Sequence, residues 1–242
     1  MPSLETYSKE LDYSYALGIF PCMEAMKKAP ETVRRLLISQ KGEDSEGVRT
    51  LVQLAADKSI RVETADKVLG KISGKDNCFA AAVFSKRELK PDSDKPHIVL
   101  HNPSDKGNIG TILRTALGFG LTSVAVIAPC ADVFDPHTVR ASMGALFSLN
   151  VSVYSSFADY RKDYAEHKLF PFMLTGSCPI EEAVRQKGDR YALVFGNEGA
   201  GLPEAFASYG VPTRIPHSDS IDSLNLSIAF AIGAYEFTKR GV

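Results

Sequence analysis

At 242 residues, 44% of them hydrophobic and 24% charged, the chain has the make-up of one large or two small globular domains rather than a disordered polymer. A formal net charge of −1 excludes a globally basic nucleic-acid binder, so phosphate contacts must come from local clusters such as Arg34-Arg35, Lys27-Lys28 or Lys86-Arg87, which also read as solvated surface. No apolar run approaches the roughly 18 residues of a membrane span and no secretory signal opens the chain, which predicts a cytoplasmic protein with no membrane partner.

From the N-terminus, CMEAMKKA reads as a helix and TVRRLLISQ as a strand. GVRTLVQLAADKSI predicts an amphipathic helix starting after Gly47. RVETAD follows as a short strand, ADKVLGKIS as a helix, and CFAAAVFS as a strand of small apolar residues. This alternation predicts a small α/β domain over residues 1–88. The polar stretch that follows, bounded by Pro91 and Pro96, predicts a linker over 89–96.

Beyond it, HIVLHNP is an apolar strand stopped by Asn102-Pro103. NIGTILRTALGFG has helical apolar spacing at 109, 112, 113, 116 and 117, with Gly118 and Gly120 at its end. SVAVIAP is the near-continuous apolar strand of a parallel sheet buried on both faces. A helix around PHTVRASMGALF, a strand SLNVSVY, a helix from Phe157 and a strand FPFMLTG come next. A helix PIEEAVRQK, a strand YALVF and one long helix over DSLNLSIAFAIGAYEFTKR complete a doubly wound parallel sheet over 97–242. Cys22, Cys78, Cys130 and Cys178 form no C-x-x-C pair and the five histidines show no zinc spacing, which predicts reduced thiols and no metal.

Open α/β sheets bind ligands beyond the carboxyl ends of their strands, and three polar loops are expected there. The first, HNPSDKGNIGTILR, offers Asn102, Asn108 and then Arg114 on the new helix. The second, GNEGAGLP, has its glycines at 196, 199 and 201. That spacing fits neither the dinucleotide fingerprint nor a Walker loop, which needs Lys and Ser or Thr where Leu202-Pro203 stand. The third, IPHSDSIDSLNLS, packs Ser223, Asn225 and Ser227 into a helix start, with Ser220 or Asp222 as cap. Each loop alone also reads as a turn or a cap. Together they describe a crevice of backbone donors and amides with one guanidinium and a single acid, Glu198, in the glycine-rich loop.

NPSDKGNIGTILRTALGFG, LVFGNEGAGLPE and IPHSDSIDSLNLSIAFAIGAYE, with VRASMGALF between the first two, resemble the ordered motifs of the SpoU-type branch of the SPOUT RNA methyltransferases. YALGIFPCMEAMK and SGKDNCFAAAVF are similar, more weakly, to the ribosomal-protein-like substrate-binding domain that often precedes that catalytic domain. The resemblance implies an α/β fold with a C-terminal parallel-sheet domain, a deep trefoil knot and a homodimer. It implies S-adenosylmethionine as cofactor and ribose 2′-hydroxyl methylation of structured RNA, rRNA or tRNA. A non-catalytic RNA-binding or ribosome-assembly factor of the same fold is the alternative.

By the same resemblance, Arg114 is the principal catalytic residue, and Asn108, Glu198, Ser223 and Asn225 order the loops and the target nucleotide. Thr175, Gly176, Phe195, Gly196, Gly199, Ile215, Ser223 and Leu224 surround the cofactor, the glycines admitting backbone close to adenine and ribose. Arg140, with Arg34 and Arg35 of the N-terminal domain, is expected to contact RNA. The stretch after Ile215-Pro216 departs from the family pattern, which carries a glycine two or three residues on where HSDSID stands here.

Overall fold

The computed structural model describes residues 4–74, 77–174, 177–218 and 220–239. In chain order its first elements are Tyr13–Leu17 (β1), Ile19–Lys28 (α1), Val33–Ile38 (β2), Glu46–Asp57 (α2), Val62–Thr64 (β3), Asp66–Ser73 (α3) and Ala80–Ser85 (β4). Then come His97–His101 (β5), Lys106–Gly118 (α4), Ser123–Ile127 (β6), Pro136–Ala141 (α5), Asn150–Tyr154 (β7), Phe157–Asp163 (α6) and Lys168–Pro171 (β8). Cys178–Pro179 (β9), Ile180–Val184 (α7), Tyr191–Phe195 (β10), Thr213–Arg214 (β11) and Leu226–Thr238 (α8) follow.

The chain forms two compact units, and their division differs from the sequence expectation. One unit holds the residues up to Arg87 together with Asp132–Ser148; the other holds Glu88–Ala131 and the residues from Leu149 on.

The first unit has a four-stranded sheet in the order β1-β4-β2-β3, with β2 and β3 parallel and the other pairs antiparallel. All of Ala80–Phe84 in β4 is buried, so this strand shows no alternation. The segment Asp132–Ser148, expected in the C-terminal domain, packs here instead. Tyr7 OH donates to Asp132, Ser14 Oγ donates to the Phe134 carbonyl, and the Phe147 ring meets Phe84 edge-on at 4.9 Å. Tyr7–Asp132 and Ser14–Phe134 lie more than a hundred residues apart, and Ser14 belongs to β1, a strand that the sequence reading did not assign. Periodicity carries no record of either.

The second unit is a five-stranded, all-parallel sheet in the order β7-β6-β5-β10-β8. Both faces are covered, which explains the uninterrupted apolar runs of β6 and β10. On one face Phe230 of α8 meets Phe195 edge-on; on the other, Val99, Ala125, Val194, Tyr160 and Phe206 share a core. Residues 89–96 are wired into this unit rather than left as a loose linker. Leu89 N donates to Val151 O (2.9 Å), Asp92 N to Ser123 Oγ (3.0 Å) and Tyr164 OH to Pro91 O (2.8 Å).

His97, at the start of β5, is fully buried beneath this stretch. Its Nε2 lies 2.8 Å from Asp92 O, so Nε2 carries the proton and Nδ1 accepts from Tyr160 OH at 3.0 Å. The ring stacks on that of His167 with centroids 3.9 Å apart. Burial pushes the His97 pKa down from 6.5 to about 4, outweighing the bond to Asp92, and burial lowers His167 as well. Between the two values the unfolded chain binds a proton that the folded chain refuses, so stability falls as the pH drops. Urea unfolding is expected to lose about 3 kcal/mol to the His97 shift between pH 6.5 and 4. A His97→Gln variant, able to donate and accept at the same site, is expected to flatten that slope.

Candidate active site

The strand order of the parallel sheet reverses between β5 and β10, and the loops leaving these neighbours diverge at their carboxyl ends. Beside this point, a cavity of about 350 Å³ opens between the ends of β8 and β10 and the segments around Ile215 and Leu224. Phe195, Gly196, Gly199, Ile215, Ser223 and Leu224, six of the eight residues expected at a cofactor, line it, as does Glu198. Thr175 and Gly176 lie outside the described residues. The lining residues include no Lys or Arg, two carboxylates, Glu198 and Glu204, and one imidazole, His217.

The glycine-rich loop after β10 is shaped by its own backbone. A Cβ on Gly196 would overlap the Gly201 carbonyl group, and Gly201 has φ +67°. Asn197 and Gly201 exchange both backbone hydrogen bonds, at 3.1 and 2.9 Å. Asn197 Oδ1 accepts from the N–H groups of Gly199 (2.9 Å) and Ala200 (3.0 Å). Its Nδ2 donates to Asn102 O (2.9 Å), which fastens this loop to the one after β5. Sequence reasoning passed over Asn197, although an amide directly after Gly196 and two residues before Gly199 was the available signal. At Gly196 and Gly201 the need for glycine therefore arises inside the loop.

Glu198 reaches from the same loop to the start of α4. Its carboxylate accepts from Ser104 N (2.9 Å), Ser104 Oγ (2.7 Å) and Asp105 N (2.9 Å). Asp105 is itself the N-cap of α4, accepting from Asn108 N at 2.6 Å. Burial raises the Glu198 pKa, but the bonds from Ser104 and Asp105 win and hold it near 2. At neutral pH this group is an anion saturated with donors, not a proton acceptor.

The network continues through two amides. Asn108 Nδ2 donates to Glu198 Oε1 (3.3 Å), and Asn225 Nδ2 donates to Asn108 Oδ1 (3.1 Å). Asn225 Oδ1 caps α8, accepting from Ser227 N (2.9 Å), Ser227 Oγ (2.7 Å) and Ile228 N (3.3 Å). The helix therefore starts at Leu226, not at Asp222, and neither Ser220 nor Asp222 is its cap. Ser223 lies on the exposed approach and lines the cavity. Among the described residues it makes no bond to Asn225, whose Oδ1 accepts from Ser227 instead.

Arg114 lies on the solvent face of α4 and makes no ion pair among the described residues. It is neither in the hydrogen-bonded core nor among the cavity-lining residues. Three expected RNA contacts fall in the other unit. Arg140 is exposed on α5. Arg34 pairs with Asp12 (2.8 Å) over the Tyr13 ring, and Arg35 pairs with Glu63 (3.3 Å), so both guanidinium groups already hold an acid.

A family model, the SpoU rRNA Methylase family, matches residues 95–235, more than half of the chain. The chain belongs to the SpoU rRNA methylase family. It is 34% identical over 151 residues to an uncharacterised tRNA/rRNA methyltransferase of Mycobacterium tuberculosis; the match covers 59% of this chain and only about half, 51%, of that relative. It is 26% identical over 218 residues to the 23S rRNA (guanosine(2553)-2′-O)-methyltransferase of Bacillus subtilis, covering 88% of this chain and 84% of that one. The solved structure of the SpoU methyltransferase AviRb from Streptomyces viridochromogenes in complex with AdoMet superposes with a TM-score of 0.79 at 25% identity, covering 94% and 90% of the two chains.

In this SpoU-family chain the Glu198 carboxylate holds two loops in register, so replacing one of its oxygens by an amide sets donor against donor. Glu198→Gln is expected to lose about 1–2 kcal/mol in denaturant unfolding at pH 7, the low end for an unsatisfied group because water reaches this loop. The depressed pKa places the carboxylate's contribution above about pH 4.5, and it fades as the pH falls toward 2. The difference between wild type and variant should shrink through that window.

Proposed function

We propose that this protein transfers the methyl group of S-adenosylmethionine to a ribose 2′-hydroxyl in structured RNA, with ribosomal RNA ahead of transfer RNA. One observation carries the reading. A cavity walled without Lys or Arg is joined through Glu198, Asn108 and Asn225 to the helix that presents Arg114, which makes no ion pair among the described residues. The cavity volume falls in the roughly 300–1,000 Å³ range of small-molecule sites. A wall with acids and no fixed cation suits a sulfonium and repels a phosphate chain. The AdoMet complex of AviRb and the 2′-O specificity in the B. subtilis relative's name support the same chemistry.

The bound donor would supply an electrophilic methyl group, held by Phe195, Gly196, Gly199, Ile215, Ser223 and Leu224. Asn108, Asn225 and Glu198 keep the three loops in one geometry. Arg114 orients the ribose or its phosphate through a planar, two-pronged contact. An arginine side chain offers donors and no acceptor, so Arg114 orients the substrate rather than serving as the base. Glu198 is disqualified as the base by a pKa of about 2. The hydroxyl proton therefore leaves to substrate phosphate or water. Arg140 contacts RNA. Arg34 and Arg35 join it by exchanging their acids for phosphate, at small cost for the exposed Arg34–Asp12 pair.

A homodimer belongs to this reading. The side of α8 turned from the core shows Ile228 and Tyr235, each 53% exposed, beside the Phe119 ring. The trefoil knot belongs to it too, supported by β10 entering between β5 and β8 and by Val211 N donating to Leu169 O as the chain returns along β8. Among the described residues no helix is long and apolar enough to cross a membrane, and the proposed location is the cytoplasm.

Labelled methyl transfer to protein-free ribosomal RNA tests the activity. Arg114→Ala is expected to lower kcat about 100-fold, the scale of one lost transition-state contact, with calorimetric donor affinity unchanged. No heat on titration with S-adenosylmethionine would refute the proposal. Sedimentation at micromolar concentration should show a dimer that Tyr235→Asp converts to a monomer.

A further inference from the structure

Phe157 opens α6, and Tyr209 follows the short 3-10 turn Glu204–Ser208 just beyond the glycine-rich loop. Tyr209 is 49% exposed, yet its backbone is firmly held. Its N–H donates to Phe206 O (3.1 Å), and Val211 N donates to Leu169 O (2.9 Å). Between them Gly210 presses so close to β8 that a Cβ there would overlap Leu169 O. The ring lies offset on Phe157, with centroids 5.7 Å apart and planes at 16°. Of the exposed aromatic side chains described in this unit, it is the one laid flat on another ring.

The stack leads inward to the site. Phe157 rests on Phe206 (4.6 Å), and Phe206 meets His101 edge-on (4.9 Å) at the end of β5, one residue before Asn102. Leu202 and Met173, which line the cavity, pack against the same cluster. One face of the Tyr209 ring is therefore covered by a rigid aromatic support continuous with the site, while the ring stays open to solvent. The Tyr209 hydroxyl has no hydrogen-bond partner among the described residues.

We infer that Tyr209 is a stacking platform for an unpaired base of the RNA substrate, an inference that rests on the RNA-directed function proposed above. A planar ring held at fixed orientation stacks on any base and loses little conformational freedom on doing so.

The chain contains no tryptophan, so the indole of a Tyr209→Trp variant, excited at wavelengths that tyrosine does not absorb, reports on this position alone. Titration of that variant with protein-free large-subunit ribosomal RNA, and separately with a short oligoadenylate, is expected to quench the indole as a base stacks on it. In methyl-transfer assays Tyr209→Ala is expected to raise KM for the RNA about tenfold, the scale of one base–aromatic stack, with kcat and donor affinity near wild type. Tyr209→Phe, which keeps the ring, should behave as wild type. Emission that stays constant as either RNA is added overturns the assignment, whether or not the RNA is methylated, and so does an unchanged KM in Tyr209→Ala. Quenching without methyl transfer by the wild-type chain leaves the platform standing and removes the proposed enzymatic function instead.

Discussion

The carboxylate of Glu198, seated on the N–H groups that open α4, is the contact on which the rest of the site depends. The start of a helix presents unpaired donors and the positive end of its dipole, so an acid placed there is held by several charge-assisted bonds at once. Because Glu198 belongs to the loop after β10 and its donors follow β5, this one anion fixes the two loops at the sheet's switch point. Asn108 passes the constraint to Asn225, and Asn225 passes it to the first turn of α8. Three segments far apart in the chain thus share one hydrogen-bonded line.

The parallel sheet explains why that line has a cavity beside it. β10 and β8 are neighbours in it, and the loops at their ends enclose the cavity together with the segments around Ile215 and Leu224. The glycine-rich loop forms one wall of the cavity, folded on itself around Asn197. A wall organised by backbone and amides, with negative rather than positive side chains, selects for a ligand with a cationic centre.

A division of labour follows among the polar residues. Glu198, Asn108, Asn197 and Asn225 have their hydrogen-bonding groups engaged with protein, which makes them good at holding shape and poor at exchanging protons. Arg114, without an ion pair among the described residues, keeps its five donors for something that arrives. Tyr209 stands in the same relation to its aromatic neighbours, supported on one side and open on the other. The groups that hold the site and the groups that face outward are different residues.

The alternation of apolar runs and helical spacings made the parallel sheet of residues 97–242 readable from sequence, because strands buried on both faces and helices with one apolar stripe write their periods into composition. The same was true of the three strand-end loops, whose glycines and amides stand at fixed places relative to those runs, and of the resemblance to SpoU-type enzymes that they carry. Tertiary structure alone decided which amide touches which acid. Asn108, Glu198 and Asn225 are separated by 90 and 117 residues from their bonded partners, and spacing along a chain cannot encode such pairings. It also decided that Asn225, not Ser220 or Asp222, caps the last helix, that residues 89–96 are anchored, and that Asp132–Ser148 joins the first unit. Local pattern reports how a segment satisfies its own backbone and which face it buries; the partner that accepts that face is chosen only when the whole chain has folded.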